Sequence, residues 1–351
     1  MRGEKENAKR MPSQLQVWEC NVKMREKRGE VGKRMVKIDL ITGFLGSGKT
    51  TFLKKYAAYL MEKGKQIGIL ENDFGAVNVD MMLLQDMMGD QCDLEMIAGG
   101  CDADCHRRRF KTKLIAMGMC GYDRVLMEPS GIYDVDEFFD VLREEPLDRW
   151  YQIGSVITIV DANLEETLSE EAEYLLAAQL SSAGLIVLSK TNGVSAERIG
   201  QTIAHLNCAL ARFGCKRTLE EKEIVCKDWE TFTDEDYLKA EQAGYVLEDY
   251  QKLWFEKERT FTSLYFMNVR METEKLRETV KNLMKDKACG NVFRIKGFMW
   301  TGDDTWVELN ATQKNITIQP IEKGQEVFIV IGEDLVEEKI AEYWETGKEQ
   351  D

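Results

Sequence analysis

The sequence predicts a doubly wound α/β domain followed by a smaller α+β domain. Three observations carry this. Short apolar runs at Val36–Ile41, Gln66–Leu70, Arg124–Met127, Val156–Val160 and Leu185–Leu188 are separated by segments of helical spacing. Apolar strands alternating with helices imply a mostly parallel sheet covered on both faces, and Glu223–Cys226 is expected to close it as a sixth strand. The first run enters a Gly-rich turn, and Thr50–Glu62 then places Phe52, Leu53, Tyr56, Ala57 and Leu60 on one helical face. Beyond residue 258 the order changes. Phe261–Val269 reads as a strand, Glu272–Met284 as a helix, and Asn291–Met299, Trp306–Leu309, Ile316–Pro320 and Val327–Ile331 as strands before a last helix, Leu335–Trp344.

A chain of 351 residues suggests two domains. The expected division is a basic extension at 1–34, a nucleotide domain at 35–227, an acidic connection at 228–258 and the smaller domain at 259–345. The extension holds ten Lys/Arg against five Asp/Glu and has no apolar period; it reads as a flexible arm or as residues upstream of a native start at Met35. The net charge of −15 disfavours a general nucleic-acid or anionic-membrane binder. No apolar run has the length of a membrane span, and no apolar segment follows the basic N-terminus as a secretory signal would require. Nine irregularly spaced cysteines then read as cytoplasmic thiols.

Gly43-Phe44-Leu45-Gly46-Ser47-Gly48-Lys49-Thr50 fits G-x-x-x-x-G-K-[ST] between an expected strand and an expected helix. Gly43, Gly46 and Gly48 let the backbone turn its N–H groups inward, with Ser47 and Thr51 on the same cradle, and the new helix adds the positive end of its dipole. Lys49 would reach the β- and γ-phosphates, and the Thr50 hydroxyl would ligate Mg²⁺. Such a site also needs a carboxylate. Glu128, in Glu128-Pro129-Ser130-Gly131, is the candidate, directly or through water, and Gly131 offers a backbone N–H to the γ-phosphate. Asp73 ends the second strand and is a candidate for orienting Mg²⁺ or the attacking water; its alternative is a turn-forming carboxylate.

These segments resemble the CobW-type P-loop GTPases, relatives of the nickel-insertion GTPases for urease and hydrogenase. The resemblance runs through Ile41–Thr51, Glu71–Gly75, Glu128–Gly131, Val156–Ala162 and Gly290–Trp300. It implies a P-loop hydrolase, using GTP before ATP, that couples hydrolysis to delivery of a metal or metal cofactor. It also implies a client metalloprotein or activated enzyme as partner, with a nucleotide-dependent homodimer left open. Two segments depart from the family. Its Cys-x-Cys-Cys motif is here Gly99-Gly100-Cys101-Asp102-Ala103-Asp104-Cys105-His106. Cys101, Cys105 and His106 are the candidate ligands for Zn²⁺ or another transition metal, with Cys92, Asp104 or a partner residue as the fourth. The base-reading motif Asn-Lys-x-Asp is here Ser189-Lys190-Thr191-Asn192. Lys190 still packs along a base, but the Asn192 amide presents a donor where guanine needs an acceptor. An unmet buried hydrogen bond costs about 1–3 kcal/mol, which keeps ATP as the alternative.

The basic run His106–Lys113 reads as the solvated start of a helix, as a surface for an anionic partner, or as the source of an arginine for the phosphates. Asp161 ends a strand on the ligand side, as a site residue or a cap, and His205 reads as structural. The competing functions are a regulatory switch that binds a partner enzyme without metal transport, and a small-molecule kinase.

Overall fold

Val36–Thr42 forms β1, and its alternation sends Val36, Ile38 and Leu40 to one face of a sheet and Ile41 to the other. The computed structural model describes residues 35–73, 83–98, 103–253, 260–302 and 305–345, with the backbone alone at 73, 98, 103 and 104. The extension 1–34 and Cys101 lie outside the described residues.

Seven strands form the first sheet in the order β3-β2-β4-β1-β5-β6-β7. They are β1, β2 (Ile67–Asp73), β3 (Cys92–Ala98), β4 (Arg124–Pro129), β5 (Tyr151–Asp161), β6 (Leu185–Ser189) and β7 (Ile224–Cys226). Every pairing among them is parallel. The six-strand expectation missed β3, whose Asp93 and Glu95 alternate with apolar residues at the edge of the sheet. β5 also starts earlier than the apolar run, because Tyr151 and Gln152 pair with Val36 and Lys37 ahead of an irregularity in β1.

Helices cover both faces. On one, α1 (Lys49–Glu62) buries Phe52, Leu53, Tyr56, Ala57 and Leu60 against Ile41, Ile69 and Leu126. On the other, α2 (Ala103–Cys120) and α3 (Val135–Leu142) bury Phe110, Leu114, Phe138 and Val141 against β1 and β4, followed by the single turn α4 (Leu147–Trp150). α5 (Glu170–Ser181) and α6 (Ala196–Arg212) pack on β5 and β6 through Leu176, Leu180, Leu206 and Leu210. Each large apolar side chain removed from water in this way contributes about 1.5–3 kcal/mol. The acidic stretch after β7 returns to the same domain: Trp229, Phe232 and Tyr237 pack against the α1 cluster, with Tyr237 on α7 (Asp234–Glu241).

The second sheet is antiparallel, in the order β11-β10-β9-β12-β8. Its strands are β8 (Phe261–Met267), β9 (Asn291–Gly302), β10 (Thr305–Thr312), β11 (Ile316–Ile321) and β12 (Val327–Glu333). α8 (Thr273–Leu283) and α9 (Glu337–Glu345) cover one face through Leu276, Val280, Ile340 and Trp344. The opposite face carries Phe298, Val327 and Ile329 onto Leu45 and Leu83 of the first domain. The parallel sheet over helices followed by this α+β unit is the architecture the sequence predicts. Among the described residues no helix is long and apolar enough to cross a membrane.

Candidate functional site

The strand β1, the turn after it and α1 build the phosphate cradle. Gly43, Gly46 and Gly48 have φ of 146°, 73° and 97°, values that only glycine adopts without strain. The turn therefore follows from the motif, and α1 opens directly at Lys49, the seventh motif position. Lys49 is buried, and its Nζ donates to the Gly43 carbonyl at 3.1 Å, which holds the ammonium over the loop. Thr50 Oγ1 donates to Glu128 Oε1 at 2.8 Å. β4 brings Glu128 there because it lies directly beside β1. A Cβ on Gly131 would meet the Leu45 backbone nitrogen at 2.7 Å, so the Glu128–Gly131 segment rests on the crown of the loop. The sequence candidates Gly43, Gly46, Ser47, Gly48, Lys49, Thr50, Thr51, Glu128 and Gly131 thus gather at one end of the sheet.

Buried polar atoms collect there too. Thr42 Oγ1, Ser47 Oγ and both amide atoms of Asn72 are buried without a hydrogen-bond partner among the described residues. Buried polar atoms are ordinarily paired, so such a cluster at the carboxyl ends of parallel strands marks a ligand site. The oxygens of Thr50 and Glu128 suit a hard cation such as Mg²⁺.

The base side is held by Lys190. Its φ of 54° is unusual for a side-chain-bearing residue. Its Nζ donates to Gly46 O at 2.9 Å and pairs with Asp161 Oδ2 at 2.7 Å. Asp161 therefore anchors Lys190, and its other oxygen accepts from Asn163 N at 2.8 Å as a turn cap. Asn192 is exposed and lines the cleft two residues beyond. The cleft has a volume of about 400 Å³ and runs from Lys49 and Thr50 to Asn192. Sequence reasoning missed much of the rest of its lining. Asp228 and Trp229 line it from the segment after β7. The Trp229 indole stands edge-on to Phe52 at 5.8 Å and lies 3.2 Å from where a Cβ on Gly48 would sit. The signal available was that β7 runs parallel beside β6, so the residues after it emerge beside Lys190.

The metal candidates are arranged differently. Cys101 lies outside the described residues, as does the Asp104 side chain. Cys105 is half-buried in the first turn of α2. His106 is buried, with Nδ1 3.9 Å from Glu137 Oε1. Successive helical residues diverge by about 100°, so the His106 ring turns inward from Cys105. Cys92 is not a fourth ligand. It begins β3, paired with Ile67, whereas the segment of Cys101 follows the far end of that strand at Ala98. It is a core thiol, and burial pushes its pKa up to about 11. Among the described residues no three His, Cys, Asp or Glu side chains are placed to hold a metal ion. Asp73 closes β2 opposite Ala98, one residue beyond the Asn72–Pro129 pair.

The basic run is largely engaged by acids. Arg107 and Lys111 both reach Glu144 at 2.6 Å, and Lys113 reaches Glu95 at 2.7 Å. His205 faces Glu173 at 3.4 Å within the helical layer.

A glycine turn with its lysine over the loop, a hydroxyl set against a carboxylate, and a second lysine clamped beside the cradle define a P-loop nucleoside triphosphate hydrolase of the GTPase type. Residues 37–212 match the family model described as CobW/HypB/UreG, nucleotide-binding domain, and residues 252–347 match the cobalamin synthesis protein cobW C-terminal domain. The chain belongs to the CobW/HypB/UreG family. It is 22% identical to the zinc chaperone YjiA of Escherichia coli (strain K12) over 87% of this chain and 96% of that protein. It is 31% identical to the zinc chaperone YeiR of the same organism, over 46% of this chain and 49% of that one. The crystal structure of Zn(II)-bound YjiA GTPase from E. coli overlaps 90% of this chain and 100% of that one, at 19% identity and a TM-score of 0.34, too low to bear on function.

Proposed function

We propose that this protein uses GTP hydrolysis to drive delivery of a transition metal, Zn²⁺ first, to a client metalloprotein. The observation that carries the proposal is the adjacency of two strand ends. β2 and β3 run in register to Asp73 and Ala98, and β2 lies beside β4, which carries Glu128. Cys101 follows Ala98 by only three residues in the sequence. A change in the phosphates is thereby passed to the segment that would carry the cargo. Relatives named zinc chaperones support the choice of metal.

In this reading Lys49 exchanges the Gly43 carbonyl for β- and γ-phosphate oxygens, and the Gly131 N–H faces the γ-phosphate. Thr50 and Glu128 would hold Mg²⁺, which when bound neutralises charge on the β- and γ-phosphates. Asp73 orients the attacking water. Cys101 and Cys105 are the cargo ligands, with His106 available only if its ring leaves Glu137.

The test is zinc content and GTP hydrolysis of reduced protein, wild type against Cys101→Ala and Cys105→Ala. Each substitution should remove stoichiometric zinc and leave a basal hydrolysis rate that zinc no longer changes. Stoichiometric zinc retained by either variant would refute the thiolate site. No zinc in the wild type would point instead to a regulatory switch acting on a partner enzyme, and transfer of phosphate to a metabolite rather than to water would point to a kinase.

A further inference from the structure

An antiparallel sheet with helices on one face ordinarily turns the other to water. Here that second face is laid over the P-loop, and it is divided. Phe298, Val327 and Ile329 form a dry patch against Leu45 and Leu83. Arg294, Glu308, Asn310, Thr317 and Gln319 instead line the same cleft as Lys49, Thr50, Lys190 and Asn192, with the Glu308 carboxylate accepting from Gln319 Nε2 at 2.9 Å. The polar half of the sheet therefore faces the nucleotide site rather than solvent.

The approach is close. A Cβ on Gly46 would stand 2.9 Å from Thr312 Cγ2 and 3.8 Å from Arg294 Cδ. Phe44 meets Phe293 and Phe261 edge-on at 5.6 and 6.3 Å. Residues 44–46 of the cradle are thus all held by the second domain. Arg294 is half-buried, and its Nε donates to Asn310 Oδ1 at 3.2 Å, which fixes the plane of the guanidinium. Among the described residues no carboxylate pairs with it. A planar fork of donors set by a neighbouring amide over a phosphate cradle has the chemistry to bind phosphate oxygens in bidentate fashion.

We propose that Arg294 is a phosphate-contacting residue of the hydrolysis site, supplied by the second domain and positioned by Asn310. Nucleotide binding and docking of the second domain are then one equilibrium. The proposal rests on the nucleotide reading of the cleft and is independent of any metal cargo. The arginine acts where charge gathers on the β–γ bridge, as an arginine supplied within the same chain does in other P-loop enzymes.

The experiment is steady-state hydrolysis and fluorescent GTP and GDP titration of the full chain with Mg²⁺, for wild type, Arg294→Ala, Arg294→Lys, Asn310→Ala and Lys49→Ala. Arg294→Ala should lower kcat by about tenfold or more and weaken GTP more than GDP. Arg294→Lys should recover only part, because it keeps the charge and loses the fork. Asn310→Ala should lower kcat with little change in KM. Wild-type kcat and affinities in Arg294→Ala, alongside an inactive Lys49→Ala, would overturn the proposal while leaving the nucleotide site intact. An active Lys49→Ala would instead overturn the nucleotide reading itself. Should Arg294→Ala fail to fold by thermal melting, Arg294→Lys decides, and a kcat equal to wild type would overturn the bidentate contact.

Discussion

The two ends of the parallel sheet treat buried polar groups in opposite ways. Near the amino-terminal end, Asp39 on β1 accepts from Tyr56 Oη and from Ser155 N, each at 2.8 Å, and from Arg124. Arg124, at the start of β4, also reaches Glu241 Oε1 at 3.4 Å. Both Asp39 and Arg124 are fully buried, and the protein satisfies their charge from five elements of its own. At the carboxyl end Thr42, Ser47 and Asn72 are equally buried and keep polar atoms without a hydrogen-bond partner among the described residues. One end is completed by the chain itself and supplies cohesion. The other, among the described residues, leaves hydrogen-bonding capacity open, as a ligand site does. Burial alone therefore does not separate structural from functional polar residues here; the completeness of the hydrogen bonding does.

That contrast can be broken at either end. The largest effect is expected from Arg124→Met. Removing one partner of a buried ion pair costs about 3–5 kcal/mol, read as a lower urea midpoint. Burial already pushes the Asp39 carboxyl above its ordinary range against the pull of Arg124. Without Arg124 the folded-state pKa rises further, and a raised carboxyl contributes stability below its unfolded value that is lost as pH rises. The deficit should therefore be greatest at neutral pH and shrink toward acid, while nucleotide affinity of the folded variant stays unchanged. An equal loss at every pH would mean that Arg124 stabilises by packing alone.

A smaller effect is expected at the base. Asn192→Asp should tighten GTP about tenfold, the equivalent of roughly 1.4 kcal/mol, and leave ATP no tighter. If GTP affinity does not improve, the acceptor at position 192 does not set base choice. The smallest effect, and the sharpest test of the comparison, is Asn72→Leu. Replacing an unsatisfied buried amide by an apolar group of similar size should stabilise the nucleotide-free protein by about 1 kcal/mol and weaken nucleotide binding. A lower melting temperature would show that Asn72 belongs with Asp39 as a structural group.

Much of this was legible before the structure. Continuous apolar runs gave β1, β4, β5 and β6, because strands buried on both faces carry little polarity. The P-loop needed only its glycines and its setting between strand and helix. β3 was not legible in that way. An edge strand exposes alternate residues, so Cys92–Ala98 lacks the apolar run, and without it Cys92 looked free to join a metal site. Lys190 was recognised as a motif residue, but its bond to Gly46 depends on β6 standing two strands from β1. Arg294 was legible only as part of a second-domain signature. Its place in the cleft depends on how the two domains dock, a relation between residues some 250 positions apart that no local periodicity carries.

The closeness of Thr312 to Gly46 has a bearing on inheritance. Phosphate chemistry alone leaves the four positions after the first glycine of such a loop free to vary. Here Phe44 is wedged between two aromatic rings of the second domain, Leu45 fills its apolar patch, and Gly46 has room for no side chain. Two of those letters, Phe44 and Leu45, thus fit the distant domain, while Gly46 is fixed by its own φ of 73° as well as by the closeness of Thr312. A chimera that takes its second domain from a relative would have to bring residues 44 and 45 along with it.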